Sequence, residues 1–188
     1  MKQKRFFLFV FILSIFITSC YREPCSNLLQ EKVKSQTAVI QLLQQIDSLA
    51  VVGEYNATIA KDYIIKAEEF CSAYPEDPMS AEFLYRAGLI AMAVAKFADN
   101  NDETELYSQK ALTIFDDIQR VYPDFQSIKN CVLNKGVVYD DILHDYQNAE
   151  IHYREFIARY PTDTLAMNIE SYLQFLGKSP EEILNNTK

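Results

Sequence analysis

The residues able to do chemistry are few, and their spacing excludes most reactions. His144 and His152 are the chain's two histidines, set on either side of a predicted helix turn. No cysteine or carboxylate cluster at metal-ligand spacing accompanies them, so they read as surface residues. Asp116-Asp117 and Asp140-Asp141 are paired acids. Neighbours on a helix point about 100° apart, so neither pair converges on one substrate, and a solvated face accounts for both. The chain has no GxSxG, P-loop or GxGxxG, and no serine or cysteine beside a plausible base. The expectation is a protein without catalytic site, metal or cofactor. One thiol stands apart, because Cys20 follows Ile17-Thr18-Ser19 at the end of an apolar run.

Lys2, Lys4 and Arg5 form a basic head, and Phe6 to Ile17 are apolar except for Ser14. Charge, apolar run, small residues and cysteine thus follow in the order of an export signal. The run is 12 residues long. As a helix it reaches about 18 Å against roughly 30 Å of bilayer hydrocarbon, which predicts a cleaved segment. The pattern resembles the signal peptide of bacterial lipoproteins. That resemblance implies diacylation of the Cys20 thiol, cleavage between Ser19 and Cys20, and acylation of the freed amine. Each buried methylene contributes about 0.8 kcal/mol, so two or three acyl chains hold a protein on a membrane. An ordinary secretory signal with a chance cysteine is the alternative.

The expected organisation is a signal peptide at 1–19, a lipidated tether at 20–26 and one helical domain at 27–188. The mature chain of 169 residues suffices for one core or a few stacked repeats. Loss of Lys2, Lys4 and Arg5 takes the formal charge from −8 to −11, which argues against nucleic acid as a partner. Cys25, Cys71 and Cys131 are odd in number and lack CxxC spacing. Cys71 and Cys131 lie among apolar helical positions and are expected as buried free thiols.

The elements that must position these groups read almost wholly as helix. There are four glycines, apolar residues recur at three and four, and no stretch alternates as a half-buried strand would. Helices are expected over about 26–52, 56–73, 78–97, 103–121, 125–142, 145–159 and 163–176, with Pro24 keeping the tether non-helical. Ser179-Pro180-Glu181-Glu182 starts a last short helix with serine as N-cap.

Tyr74-Pro75, Tyr122-Pro123 and Tyr160-Pro161 recur at intervals of 48 and 38 residues, each closing an amphipathic segment. Four residues before each tyrosine stand Phe70, Ile118 and Phe156; eleven before stand Tyr63, Ala111 and Ala149. Those offsets share one helical face. Gly88 and Gly136 each lie thirteen residues after a proline, inside apolar helices. Mid-helix glycine costs about 1 kcal/mol against alanine, so its recurrence predicts close approach of a neighbouring backbone.

This arrangement resembles tetratricopeptide repeats. Gly88 and Gly136 match the helix A glycine, Ala111 and Ala149 the helix B alanine, and Pro75, Pro123 and Pro161 the closing proline. The tryptophan of helix A is replaced by Leu84 and Val132. The resemblance implies an all-α, antiparallel helix-pair solenoid of about three repeats. It also implies a protein-binding concave face at Tyr85, Leu89 and Met92 of one repeat and Leu133, Val137 and Asp140 of the next. Packing of the same side chains against a neighbouring helix is the other reading. Val39, Leu42, Ile46 and Leu49 allow a short coiled coil, with pairing inside the chain favoured, and a monomer is expected.

Helical repeats behind a lipid anchor resemble the tetratricopeptide lipoproteins of the outer-membrane β-barrel assembly machinery. The function so implied is a non-enzymatic adaptor on the periplasmic face of a membrane, the outer one by that resemblance, binding protein partners. The alternatives are a cell-envelope factor of Tol-Pal or peptidoglycan type and a small lipid-anchored receptor for glycan uptake. Asp47-Ser48-Leu49 and Asp163-Thr164-Leu165 also resemble an acceptor for periplasmic O-glycosylation at Ser48 and Thr164, although Asp163-Thr164 equally reads as helix capping.

Overall fold

The computed structural model describes residues 23–185. The expected signal segment and Cys20 lie outside the described residues. Among those described there are eight α-helices and no strand. They are α1 (Glu23–Val51), α2 (Ala57–Ala73), α3 (Ser80–Lys96), α4 (Asn101–Val121), α5 (Ile128–Val137), α6 (Tyr146–Arg159), α7 (Thr164–Leu173) and α8 (Pro180–Asn185). A π turn, Val138–Ile142, continues α5. No helix among the described residues is long and apolar enough to cross a membrane.

Each helix packs chiefly on the next in sequence, from α1 on α2 through α6 on α7. The connections are short, so neighbours run antiparallel. The three Tyr-Pro turns therefore gather at one end of the stack. The other end carries the connections 52–56, 97–100 and 143–145, which Tyr55 and Phe97 join by ring contact at 5.3 Å and Lys96 and Asp141 by an ion pair at 2.5 Å.

The Tyr-Pro turns repeat one geometry. Tyr74, Tyr122 and Tyr160 each close a helix with φ near −130° (−134°, −125° and −130°) and donate their N–H to the carbonyl four residues back, on Phe70, Ile118 and Phe156. Each tyrosine carbonyl accepts from the residue three further on: Asp77, Phe125 and Asp163, all at 3.0 Å. Those three carbonyls accept in turn from Ser80, Ile128 and Ala166. Proline lacks an N–H and cannot continue the helix, so the chain turns at the same register each time.

The face read from the tyrosine offsets is the core face. Tyr63, Phe70, Ala111, Ile118, Ala149 and Phe156 are all wholly buried. One cluster spans α1 to α5 and a second spans α5 to α7, with Tyr139 packed against both. Val39, Leu42 and Ile46 belong to the first, so the apolar stripe of α1 pairs within the chain along this stretch. Gly88 and Gly136 each hold an aromatic ring from the following helix, Phe115 and Tyr153, so the close approach expected of a backbone is made by a side chain instead.

Two expectations need correction. The tether is helical from Glu23 onward, because Pro24 falls in the first turn of α1, where a missing N–H costs nothing. The segment expected as one helix over 125–142 begins at Ile128 and ends in the π turn, since Phe125 is spent in the Tyr122-Pro123 turn.

Candidate functional site

The six side chains assigned to a concave face are half-buried. Tyr85, Leu89 and Met92 pack against the first core cluster, with the Tyr85 ring 5.7 Å from Phe125 and 6.4 Å from Phe115. Leu133 and Val137 pack against the second cluster. Asp140 is separate from these five in chemistry, because it takes hydrogen bonds from two tyrosines.

Asp140 sits in the π turn, where Tyr153 of α6 and Tyr172 of α7 donate their hydroxyls to its Oδ2 at 3.0 and 2.8 Å. One carboxylate oxygen thereby joins three elements. Burial and the adjacent carboxylate hold the Tyr153 hydroxyl far above its ordinary range, and the same causes push Tyr172 up to about 12. Asp140 is thus not part of a solvated face. Asp141, beside it, is exposed and pairs with Lys96. Asp116 pairs with Lys135 at 2.6 Å and Asp117 with Arg120.

A pocket of about 530 Å³ opens against this network, lined among others by Asp140, His144, Tyr146, Tyr172 and Lys178. His144 is exposed and has φ 52°, a left-handed conformation closing the helix after the π turn, with Nδ1 3.1 Å from the Asp140 carbonyl. His152 departs from the surface expectation. It is half-buried, stacked on Tyr139 at 5.2 Å and 6°, with Nδ1 3.2 Å from Glu155. Spacing alone held no sign of the π turn or of the two tyrosines it gathers.

An apolar opening lies at the end opposite the Tyr-Pro turns. It has a volume of about 310 Å³ and is walled by Ile46, Leu49, Ala60, Ile90 and Ala93, with Tyr55 and Phe97 at its edge. Phe97, at its edge, is 63% exposed. Such a pocket suits an apolar side chain presented by another molecule.

The remaining groups have structural partners. Cys71 and Cys131 are buried free thiols, as their setting among apolar positions implied. Burial pushes Cys71 up to about 11 and Cys131 up to about 12, so neither is a nucleophile near neutral pH. Ser48 donates to the Gln44 carbonyl within α1, and Asp163 caps α7 by accepting from the Leu165 N–H at 2.9 Å. The Lys129 ammonium holds the Asp163 carboxyl below its usual range. Among the described residues no group of three or more histidines, cysteines or acids is placed to hold a metal ion.

Compared with protein-family models, curated proteins and solved structures, the chain matches none.

Proposed function

We propose that this chain is a lipid-anchored periplasmic scaffold, a short tetratricopeptide-like solenoid that binds other proteins and performs no reaction. The observation that carries this reading is the threefold recurrence of the Tyr-Pro turn with the same two backbone hydrogen-bond steps. Stacked units of this kind extend a surface and suit recognition better than catalysis. The order of residues from Lys2 to Cys20 supports the anchor, and the apolar pocket beside Tyr55 and Phe97 supplies a docking point for a partner. A component of outer-membrane protein assembly is the partner class the repeat resemblance favours.

The packing of α1 speaks to the second reading, a Tol-Pal or peptidoglycan factor joined through a coiled coil. Val39 is wholly buried against α2 and its neighbours, so much of the stripe that a coiled coil would use is already engaged. A glycan receptor is the least supported, since the chain has no tryptophan to build a sugar platform.

In-cell photo-crosslinking of the full-length protein tests the proposal. A crosslinking residue at position 97 is expected to capture one defined envelope protein, and one at exposed Ile151 is not. Absence of any protein crosslink from positions 97, 89 and 137 would contradict an adaptor.

A further inference from the structure

The core-facing stripe of α1 runs on after its partner helix has ended. Leu28 and Leu29 stand eleven residues before Val39 and Ile40, about three helical turns, and so share their face. Val39 and Ile40 pack into the core, whereas Leu28 is 61% exposed, Leu29 63% and Val33 52%. Lys32 marks where the body stops: its ammonium pairs with Asp77 at 2.6 Å and lies 5.6 Å from the centre of the Tyr74 ring, both in the first Tyr-Pro turn. Residues 26–31, before it, are exposed throughout. From Glu23 to Lys32 the helix therefore overhangs the stack by about 13 Å.

We infer that this overhanging apolar face seats in the surface of the lipid bilayer. The inference rests on the proposed acylation of Cys20 and extends it. Only three peptide steps separate Cys20 from the start of α1, so Leu28 can stand no more than about 18 Å from the acylated residue. A fatty-acyl anchor in hydrocarbon keeps Leu28, Leu29 and Val33 beside the interface for as long as the protein is bound. Covering them with lipid removes apolar surface from water with no further loss of translational freedom. The seated helix fixes orientation as well as attachment. The Tyr-Pro turns then face the membrane, and the pocket beside Tyr55 and Phe97 lies away from it, about 30 Å further along α1.

The chain contains no tryptophan, so a single introduced indole reports its own surroundings. Full-length, processed protein carrying Leu29→Trp, Val33→Trp or, as a control on α6, Ile151→Trp is placed in phosphatidylethanolamine–phosphatidylglycerol vesicles with or without brominated acyl chains. The expected result is a blue-shifted emission for Leu29→Trp and Val33→Trp, quenched several-fold more strongly by the brominated lipid than that of Ile151→Trp. Equal, weak quenching at all three positions in protein that floats with the vesicles and carries acyl chains by intact mass overturns the seating and leaves the anchor standing. Protein that carries no acyl chain and stays off the vesicles overturns both. A blue shift that needs no lipid, deepens with protein concentration and resists bromine shows that a second copy covers the face, and also overturns the seating.

Discussion

A Cβ on Gly88 would fall 2.5 Å from Cε1 of Phe115, and the ring has no room to withdraw because Phe115 is wholly buried. Gly136 stands in the same relation to Tyr153, with the nearest ring atom at 2.6 Å. Gly88→Ala and Gly136→Ala are each expected to cost about 1 to 3 kcal/mol by overpacking, although alanine is the better helix former by about 1 kcal/mol. Urea denaturation reads both. Adding Phe115→Leu to Gly88→Ala should cost less than the sum of the single changes, since the smaller side chain vacates the contested space.

The Tyr153 and Tyr172 hydroxyls share Oδ2 of Asp140, and burial together with that carboxylate raises both ionisations. A group whose folded value lies above its unfolded one stabilises fully below the unfolded value, here about 10 for tyrosine. That contribution fades as pH climbs from about 10 through the folded value of Tyr172, about 12. The raised thiols of Cys71 and Cys131 act in the same direction from about pH 9 upward. Thermal unfolding should therefore show stability level near neutrality and falling steeply above pH 9 to 10. Tyr153→Phe should lose about 1 to 2 kcal/mol at pH 7 and flatten the alkaline decline.

Cys71 and Cys131 should resist iodoacetamide in the folded protein, since both are buried and both ionise well above neutral pH. Peptide mapping is expected to find them unmodified after native treatment and fully alkylated in urea. Native labelling of Cys131 at a rate near that of a free thiol would show that α5 opens far more often than its packing implies.

Ser108 is wholly buried, and its hydroxyl has no hydrogen-bond partner. Replacing a buried, unsatisfied hydroxyl by a methyl group removes a desolvation cost. Ser108→Ala should stabilise by about 1 kcal/mol in the same urea assay, whereas most core substitutions destabilise.

The helices and the core face were readable because one period governs both. Tyr74, Tyr122 and Tyr160 fixed the register, and the residues four and eleven positions before each proved to be buried. Helix ends were less legible. Pro24 reads as a breaker in sequence but is harmless in a first turn, and Phe125 reads as helix although its N–H closes the preceding turn. The Asp140 network was illegible for a different reason. Tyr153 and Tyr172 lie 13 and 32 residues from Asp140, and only the folded stack brings them to one oxygen. Similarly, the pocket beside Phe97 arises where three helices end at the same level, which no local pattern encodes.

Intact mass spectrometry of the protein isolated from its native cells decides whether the proposed anchor exists. The anchored scaffold predicts a polypeptide that begins at Cys20 and carries two or three fatty-acyl groups on that residue. A chain that retains residues 1–19, or one whose Cys20 carries no acyl group, would contradict it.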